Sequence, residues 1–509
     1  LIYDLNRHTV RAEGRVEILD ADGTVRFADE IETDDALNAG VATGFSTRIP
    51  GGGVASAASA VRRADGVNEL NRVVYTACPV CSDGSPPSWS LRARKATQNP
   101  NNDTISYRDV TLQVHGVPVL WLPYFAHPDP SSDRKSGFLL PGIGQKKRTG
   151  WFYEQPYYWA ISPYSELTVA PRFMANVNPL FSARYKKRFW SGEVIAQGSV
   201  TEERDFDNDG NKFGDDTWRS HLFASGNFRI DDYWKWGFGV ARTSDDLYLR
   251  RYDISEASGQ TGLFLNDLTR LFSHVDLTGQ DANSYANLSF ISAQGLRATD
   301  SDATLPLVLP VADYERVWRD PWLDGQLHFT GSTANLVRDG GVNSARVSSD
   351  LKWNLTHVLG PGVLFSPFAE ARADFYRIEN YTTPDDETLG RALGLAGAEL
   401  RWPLLRLGEH VNWLVEPIAM AAIGSNGGND PRIPNEDDQS FELDDSDLFR
   451  PDGAPNYDLW EPGPRMALGV RATAMTDSGE ATVTVGRRWR DDQVTAFAPI
   501  TNLRDDSSD

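Results

Sequence analysis

The feature that most constrains this chain is an alternation of apolar and polar residues that begins near Gly137 and recurs along the rest of the sequence. Successive side chains of a β-strand point to opposite faces, so a period of two indicates strands with one apolar and one polar face. Similar stretches occur at residues 193–200, 221–230 and 345–356. In residues 367–376, one face carries Ala369, Ala371, Ala373 and Phe375, and the other carries Glu370, Arg372 and Asp374. The chain is therefore predicted to be all-β.

Strands of this kind form either a soluble sandwich, in which the apolar faces make a core, or a membrane barrel, in which the apolar faces meet lipid. Here the apolar faces are rich in small residues, which fill a core poorly, and the polar faces carry full charges, as a water-filled lumen permits. About sixteen to eighteen such strands fit the sequence, a number that favours a large barrel. Residues 131–509 are predicted to form this antiparallel transmembrane β-barrel, with Val347, Leu351 and Trp353 facing outward.

Charge and hydropathy narrow the function classes. The net charge is −21, which argues against nucleic-acid binding because that function needs a basic face. The sequence has no run of about 18 apolar residues, so helical membrane spans are not expected. It opens at Leu1 without a signal peptide, so we expect that such a segment was removed or that the chain is a fragment.

The residues before the predicted barrel have a different sequence pattern. Residues 1–76 have the pattern of short strands joined by turns, which predicts a small sheet such as a jelly roll. Residues 77–136 are predicted to be a structured junction, and the prolines between residues 118 and 130 argue against a central strand there. We assign residues 1–130 to a periplasmic β-jelly roll with its junction.

Two acidic segments have simple interpretations. Residues 429–458 hold ten acidic and two basic residues, which is typical of a solvated loop and on a barrel predicts a long extracellular one. Asp205–Asp216 has the ligand spacing of a calcium loop, but its flanks are strand-like, so the tip of a hairpin is favoured over a calcium site. No metal site or cofactor is predicted elsewhere.

Catalysis is not indicated by any motif in the sequence. Nucleophile-elbow and zinc-protease patterns are missing, and the eight His residues are scattered. An outer-membrane hydrolase needs such groups to converge in space. The chain is therefore predicted not to be an enzyme.

Cys78 and Cys81, the two cysteines of the sequence, form a Cys-x-x-Cys pair. Such a pair occurs as a redox motif, as half of a zinc site or as disulfide cysteines. The sequence offers no nearby Cys or His pair for zinc and no βαβ context for a redox motif. A disulfide in an oxidising compartment is therefore favoured. Whether the two cysteines bond to each other or to a cysteine beyond this sequence is left open.

Four stretches of the sequence share residues with one known family. They are Tyr75–Cys78 with Trp89, then Gly116–Val119 with Leu122–Phe125 and Pro128, then Arg134–Pro141 with Gln155–Trp159 and Ile161–Pro163, and more loosely Tyr457–Glu461 with Ser507–Asp509. The third is the most specific, because its order and spacing match the start of the family's barrel. On these residues the chain resembles the LPS-assembly protein LptD family, also called organic solvent tolerance proteins. The resemblance covers about residues 75–509, and the start of the periplasmic domain and the last barrel strands are expected to be missing.

The resemblance implies a complete transport role in the outer membrane of a Gram-negative cell. The jelly roll receives lipopolysaccharide from an LptA-like periplasmic bridge, and an LptE-like lipoprotein plugs the barrel. The lipid then leaves through a lateral gate between the first and last strands into the outer leaflet. In the family's best-known pattern, disulfides join the periplasmic domain to the barrel, whereas this sequence carries one Cys-x-x-Cys and no cysteine in its barrel part.

Pro141 and Pro156 are the candidate gate residues, because both lie in the first barrel-like segments. Proline lacks an amide hydrogen, so it removes a donor from a strand ladder, and weak pairing is what a lateral gate requires. The alternative is that these prolines only bend or end strands.

Two other function classes remain to be separated from lipopolysaccharide transport. A passive porin or receptor-type barrel has no need of the jelly roll predicted for residues 1–76. A soluble β-rich binding protein would dissolve without detergent.

The cysteine pair gives a direct prediction. We expect Cys78 and Cys81 to be oxidised in the mature protein, because an exported β-protein meets an oxidising compartment. Alkylation of the native protein without reductant should leave both thiols unmodified, and reduction should then expose them. Complete alkylation before reduction contradicts the prediction.

Overall fold

The structure is a computed structural model that describes residues 1–19, 25–36, 38–49, 53–76, 87–99, 101, 104–128, 134–207, 209–254, 269–297, 299–320, 323–379, 387–438, 447–454, 456–497, 504 and 507–508. Within these ranges, no helix has both the length and the apolar character needed to cross a bilayer.

The first sheet is antiparallel, and the nine strands that it has within the described ranges follow one another in chain order. Alternating side chains give it one buried side, where Ala57, Val73, Ala93, Tyr107 and Val110 belong to one apolar cluster. The strands are β1 (Ile2–Asp4), β2 (Thr9–Leu19), β3 (Val25–Asp34), β4 (Gly40–Ile49), β5 (Gly53–Arg62), β6 (Asn68–Thr76), β7 (Trp89–Asn99), β8 (Thr104–Val114) and β9 (Val117–Pro128).

The proline-rich segment of the junction is strand β9, the last strand of this sheet. It pairs with β8 on one side, from Val114↔Val117 to Thr104↔Pro128. An edge strand tolerates prolines because one row of its amides has no partner strand. The segment is therefore a strand at an edge, in agreement with the expectation that it is not a central one.

Among the residues that the structure describes, the second sheet holds 22 antiparallel strands, again in chain order. Its first nine strands are β10 (Gly137–Phe138), β11 (Gly142–Lys146), β12 (Gly150–Glu154), β13 (Tyr157–Ser162), β14 (Ser165–Met174), β15 (Leu180–Arg188), β16 (Gly192–Phe206), β17 (Lys212–Arg229) and β18 (Trp234–Thr243). Helix α1 (Tyr248–Tyr252) follows β18. The remaining strands are β19 (Arg270–Gln280), β20 (Ser284–Gly295), β21 (Leu307–Arg319), β22 (Gln326–Val337), β23 (Asn343–Asn354), β24 (His357–Leu359), β25 (Val363–Glu379), β26 (Glu387–Arg401), β27 (Leu404–Arg406), β28 (Asn412–Gly424), β29 (Gly463–Thr476), β30 (Gly479–Arg490) and β31 (Ser507–Ser508).

The strand number exceeds the estimate from the sequence because four segments are broken in two. The broken pairs are β10 with β11, β12 with β13, β23 with β24 and β26 with β27, and both halves of each pair bond the same neighbouring segment. Proline stands at or beside three of the four breaks, at Pro141, Pro156 and Pro403. Counting each broken pair once gives eighteen segments, at the upper end of the expected range.

The alternation of the sequence is realised in the strands. Along β25, Ala369, Ala371 and Ala373 are exposed and Phe375 is 62% exposed, whereas Arg372 and Asp374 are buried. Along β23, Val347 is 57% exposed and Leu351 42%, while Ser348 and Asp350 are buried. Trp353 lies on the same face as Val347 and Leu351 and is half-buried. Over the residues named, the buried face is therefore polar and the exposed face apolar.

The connections between strands differ in length at the two ends of the second sheet. Turns at one end are short, for example residues 189–191, 281–283 and 477–478. The other end carries the long connections 244–269 and 425–462. Short turns at one end and long loops at the other are typical of outer-membrane barrels.

The predicted all-β fold class is confirmed, with the nine-stranded sheet in the place of the jelly roll and the large antiparallel sheet in the place of the barrel. The chain divides into two compact units. The first is Leu1–Leu140 with Pro156–Leu167, and the second is Pro141–Gln155 with Thr168–Asp509. The functional boundary between residues 130 and 131 stays a prediction.

Candidate functional site

Pro141 and Pro156 each lie at an interruption of a strand segment. Pro141 directly precedes β11 and Pro156 directly precedes β13. Phe138 pairs with Tyr157 before the interruption and Gly142 pairs with Glu154 after it. The sequence had suggested that both prolines lie within strands. In the structure each one directly precedes a strand, so each missing amide is at a strand boundary. Their role at a gate stays a prediction.

The residues around this interruption hold one another in place. Leu139 N–H donates to the Pro156 carbonyl at 2.9 Å. Ser136 Oγ accepts a hydrogen bond from Ala160 N–H at 2.9 Å. Beside them, Arg134 Nη1 lies 2.7 Å from Glu166 Oε2. In the Arg134–Pro141 motif, the cation of Arg134 and the hydroxyl of Ser136 therefore each bind a residue of β14 or β13.

Cys78 and Cys81 lie outside the described residues, so their oxidation stays a prediction.

The Asp205–Asp216 segment is the tip of the hairpin between β16 and β17, where Asp205 pairs with Phe213. The Asp205 carboxylate forms ion pairs with Arg219 and Arg251. At the tip, Asp207 accepts from the backbone N–H groups of Asp209 and Asn211. Two of the acids proposed as calcium ligands are therefore engaged within the protein, in agreement with the favoured hairpin interpretation.

Residues 425–462, here called the inserted loop, connect β28 to β29 and contain the whole acidic run. The expectation that this run is solvated is wrong for two of its described acids, which are buried, whereas its other five described acids are partly exposed. Asp438, Asp458, Leu459, Trp460 and Glu461 are all buried. Carboxylates are buried only where cations and hydrogen-bond donors compensate them. Those cations come from strands between β23 and β30.

Arg346 of β23 is the first of these cations. Its Nη1 lies 2.5 Å from Asp437 Oδ2 and 2.9 Å from Asp458 Oδ1. Asp458 Oδ2 also accepts from Glu436 N–H at 2.8 Å. Burial raises the pKa of Asp437, but the Arg346 guanidinium outweighs it and holds the pKa below its ordinary value. Asp437 and Asp458 thus tie the inserted loop to one strand through a shared cation.

Tyr457 is held between two arginines. The guanidinium carbons of Arg346 and Arg372 lie 4.5 and 4.8 Å from the centre of its ring. Its carbonyl accepts from Arg372 and Arg391. Asp374, buried on β25, pairs with both of these arginines at 3.0 and 2.7 Å. Cation–π contact and charge-assisted hydrogen bonds therefore act on one loop residue from three strands.

Glu461 is the most enclosed carboxylate of the inserted loop. It is fully buried, and its Oε2 lies 2.5 Å from Arg488 Nη2 and 3.4 Å from Arg465 Nε. Its Oε1 contacts Arg490 Nε. Burial raises the pKa of Glu461, but the charges of Arg488, Arg465 and Arg490 outweigh it and hold the pKa below its ordinary value.

Apolar side chains complete the contact. Leu448, Phe449 and Trp460 of the inserted loop belong to one buried cluster with residues of β26, β28 and β29. Gly469 and Gly486 provide the space, because a Cβ at these positions would lie 2.8 Å from the Phe449 ring and 2.7 Å from Leu448. The inserted loop is therefore docked by both packing and charge.

Sequence reasoning found the arginines but not their partners. Arg346 and Arg372 stand on the polar side of stretches already identified as strands, and the acidic run was equally visible. The excess of acids in one segment and of buried arginines in others is the signal that links them. The pairing of individual residues requires the register of the sheet.

The docking of the inserted loop gives a mutational prediction. Trp460→Ala should loosen the inserted loop, since removal of a fully buried Trp costs about 3–5 kcal/mol. Amide hydrogen exchange in residues 447–462 of the detergent-solubilised protein should rise strongly. Trp413→Ala is the matched control, because Trp413 of β28 is 46% exposed and should leave this exchange unchanged. Equal exchange in both variants contradicts the docked arrangement.

Comparison with known proteins gives several partial relatives. The LPS-assembly protein LptD of Pasteurella multocida is 29% identical over 200 residues, which are 38% of this chain and 24% of that protein. LptD of Coxiella burnetii is 34% identical over 126 residues, 24% of this chain and 14% of that protein. The aligned part thus spans about a quarter or less of these relatives. Among solved structures, BamA from Haemophilus ducreyi lacking POTRA domains 1-3 aligns over 73% of this chain and 69% of that chain. The TM-score is 0.21 and the sequence identity 9%, a likeness too low to support a conclusion.

Two family models match consecutive parts of the sequence. The model described as LptD protein matches residues 105–219. The model described as LPS transport system D matches residues 217–509, which include β18–β30 and the inserted loop. Since this second match covers more than half of the sequence, the chain belongs to the LptD family, LPS transport system D.

Proposed function

We propose that this chain is part of an outer-membrane translocon that receives lipopolysaccharide from a periplasmic bridge and inserts it into the outer leaflet. The observation that carries the proposal is membership of the LptD family over residues 217–509. The family is one of lipopolysaccharide transport, so the predictions of an outer-membrane location and of a chain that is not an enzyme are confirmed.

The first step of the proposed route uses the nine-stranded sheet. Its buried side is lined by small and apolar residues such as Ala57, Ala93, Ala96 and Val110. Half-buried Phe45, Leu70, Leu91, Ile105, Leu122 and Phe125 pack around them. Acyl chains favour such a surface because it removes apolar area from water. In the proposal, this sheet accepts the lipid chains from an LptA-like partner.

The second step uses the large sheet, in which an apolar exposed face meets lipid. The strands present exposed Val347, Leu351 and Phe375 on one face and charged residues on the other. A charged face needs water or protein, so the saccharide part of the substrate belongs on that side. An LptE-like lipoprotein is the proposed plug.

The third step is lateral release near Pro141 and Pro156. Both segments of the first hairpin are interrupted at these residues, and Phe138↔Tyr157 is the last pair before the interruption. In lipid, a lost backbone bond has no replacement from solvent. The interruption is therefore the proposed weak point, and the prolines maintain it by withholding two amide donors.

Transport and gate are tested in the same cells. After depletion of the native protein, surface labelling of lipopolysaccharide should fall, and the full-length wild-type protein should restore it. Pro141→Ala with Pro156→Ala should restore it more slowly. Two regained hydrogen bonds of about 0.5–1.5 kcal/mol each favour the closed seam by about one to two powers of ten.

Pro367→Ala is the matched control, because Pro367 lies in β25, away from the first hairpin. It should restore labelling at the wild-type rate when protein levels are equal. Unchanged labelling after depletion contradicts the transport function. Restoration by the double variant at the wild-type rate contradicts only the gate role of the prolines and leaves the transport function unaffected.

A further inference from the structure

One arginine interrupts the apolar exposed face of the second sheet beside the short turn at residues 407–411. Arg406 lies on β27, is exposed, and pairs with Trp413 of β28. Along β28, Trp413 and Ile423 are exposed, whereas Ile418, which lies at an alternate position, is buried. Cross-strand partners lie on the same face of a sheet. Arg406 therefore projects from the exposed face, next to the indole of Trp413.

The charge of Arg406 has no compensating acid on that face. The structure describes every residue of β26–β30, and within its described ranges Arg406 forms no ion pair or side-chain hydrogen bond. Glu399 and Glu416 lie on the opposite face, where both pair with Arg401. The acids of these strands all occupy positions that alternate with the exposed ones: Glu387, Glu399, Glu416 and Glu480. The exposed face of β26–β30 is therefore cationic at this end.

The place of Arg406 along its strand corresponds to the headgroup region of a bilayer. The turn at residues 407–411 follows it directly, and the short turns of outer-membrane barrels lie on the periplasmic side. Toward the middle of the sheet, Leu404 is 42% exposed and continues the apolar face. Trp402 and Trp413 are exposed nearby, and indoles favour the boundary between membrane and water. At this level a guanidinium reaches lipid phosphates of the periplasmic leaflet.

The surface beside Trp413 is low enough to accept an acyl chain. Ala474 of β29 pairs with Trp413, and Ala481 of β30 pairs with Ala474. Because cross-strand partners share a face, two methyl groups stand in a row next to one indole on the exposed side. Exposed Val483 continues the apolar surface from Ala481 toward the middle of the sheet. The step between the indole and the alanines thus forms a shallow apolar groove that begins beside Arg406.

We propose that Arg406 and this groove bind an anionic phospholipid of the periplasmic leaflet, with the phosphodiester on Arg406 and one acyl chain over Ala474 and Ala481. A guanidinium pairs with phosphate oxygens in bidentate fashion, which a point charge cannot do. A zwitterionic lipid brings an ammonium group as well, and the exposed face of β26–β30 offers that group no acid. The inference goes beyond transport, because it concerns a lipid of the surrounding membrane and not the cargo.

The test uses the purified full-length protein in a neutral detergent that contains equal amounts of phosphatidylglycerol and phosphatidylcholine with the same acyl chains. Native mass spectrometry counts the molecules of each lipid that stay bound. The wild type should retain more phosphatidylglycerol than phosphatidylcholine. Arg406→Gln should lower the ratio of the two about fivefold, the factor that one cationic side chain contributes at an anionic lipid surface.

Arg316→Gln is the matched control. Arg316 of β21 stands between exposed Tyr314 and Trp318 on the same face, but its Nη1 lies 3.7 Å from Asp281 Oδ2. Since this charge already has a partner, its removal should leave the lipid ratio at the wild-type value. Trp413→Ala tests the groove separately, because it should lower the retention of both lipids and keep their ratio.

Three outcomes would overturn the proposal. They are equal retention of the two lipids by the wild type, an unchanged ratio in Arg406→Gln, and an equal fall in Arg406→Gln and Arg316→Gln. Added lipopolysaccharide that displaces phosphatidylglycerol from the wild type and needs Arg406 to bind would also overturn it, since the residue would then serve the cargo. Every readout is independent of lipopolysaccharide export, so failure here leaves the transport proposal standing.

Discussion

Compensation of charge between the inserted loop and the strands beneath it is the interaction on which the second half of this structure depends. An unpaired carboxylate or guanidinium inside a protein costs several kcal/mol. Arg346 compensates Asp437 and Asp458, and Arg465, Arg488 and Arg490 together compensate Glu461. Neither side can be buried alone. The apolar contacts of Leu448, Phe449 and Trp460 add packing but do not explain why so acidic a segment leaves water.

This arrangement follows from the period of two in the strands. Because alternate residues face opposite sides, a single strand such as β25 presents Ala371 and Phe375 outward while it holds Arg372 and Asp374 against the inserted loop. The exposed face suits lipid, and the buried face suits charged partners. A one-residue slip in register would exchange the two faces, so the same alternation that defines the sheet also positions every arginine of the site.

The sequence was sufficient to predict the properties that repeat along each strand. It was insufficient to predict those that depend on which strands or which charged residues pair. Alternation predicted the all-β class and the outward faces of β23 and β25, because each strand carries its own pattern. The acidic run was misjudged in part because Arg338 and Arg346, which pair with Glu436, Asp437 and Asp458, lie 91 to 112 residues earlier in the sequence. Pro141 and Pro156 were identified from the sequence, but their place directly before β11 and β13 depends on where those strands begin, which alternation alone does not give. Proline-rich β9 became a strand because it lies at an edge, which only the order of the sheet reveals.

The central claim is that the inserted loop rests on the buried face of β29 and β30 in the native protein. A photoreactive phenylalanine analogue placed at position 449 in growing cells tests it most directly, because Phe449 lies where a Cβ at Gly469 would contact its ring. On irradiation, mass spectrometry should find crosslinks from residue 449 to peptides containing residues 463–490 of the same chain. Crosslinks only to other proteins or to lipid, with none inside the chain, would contradict the docked loop and the charge compensation that depends on it.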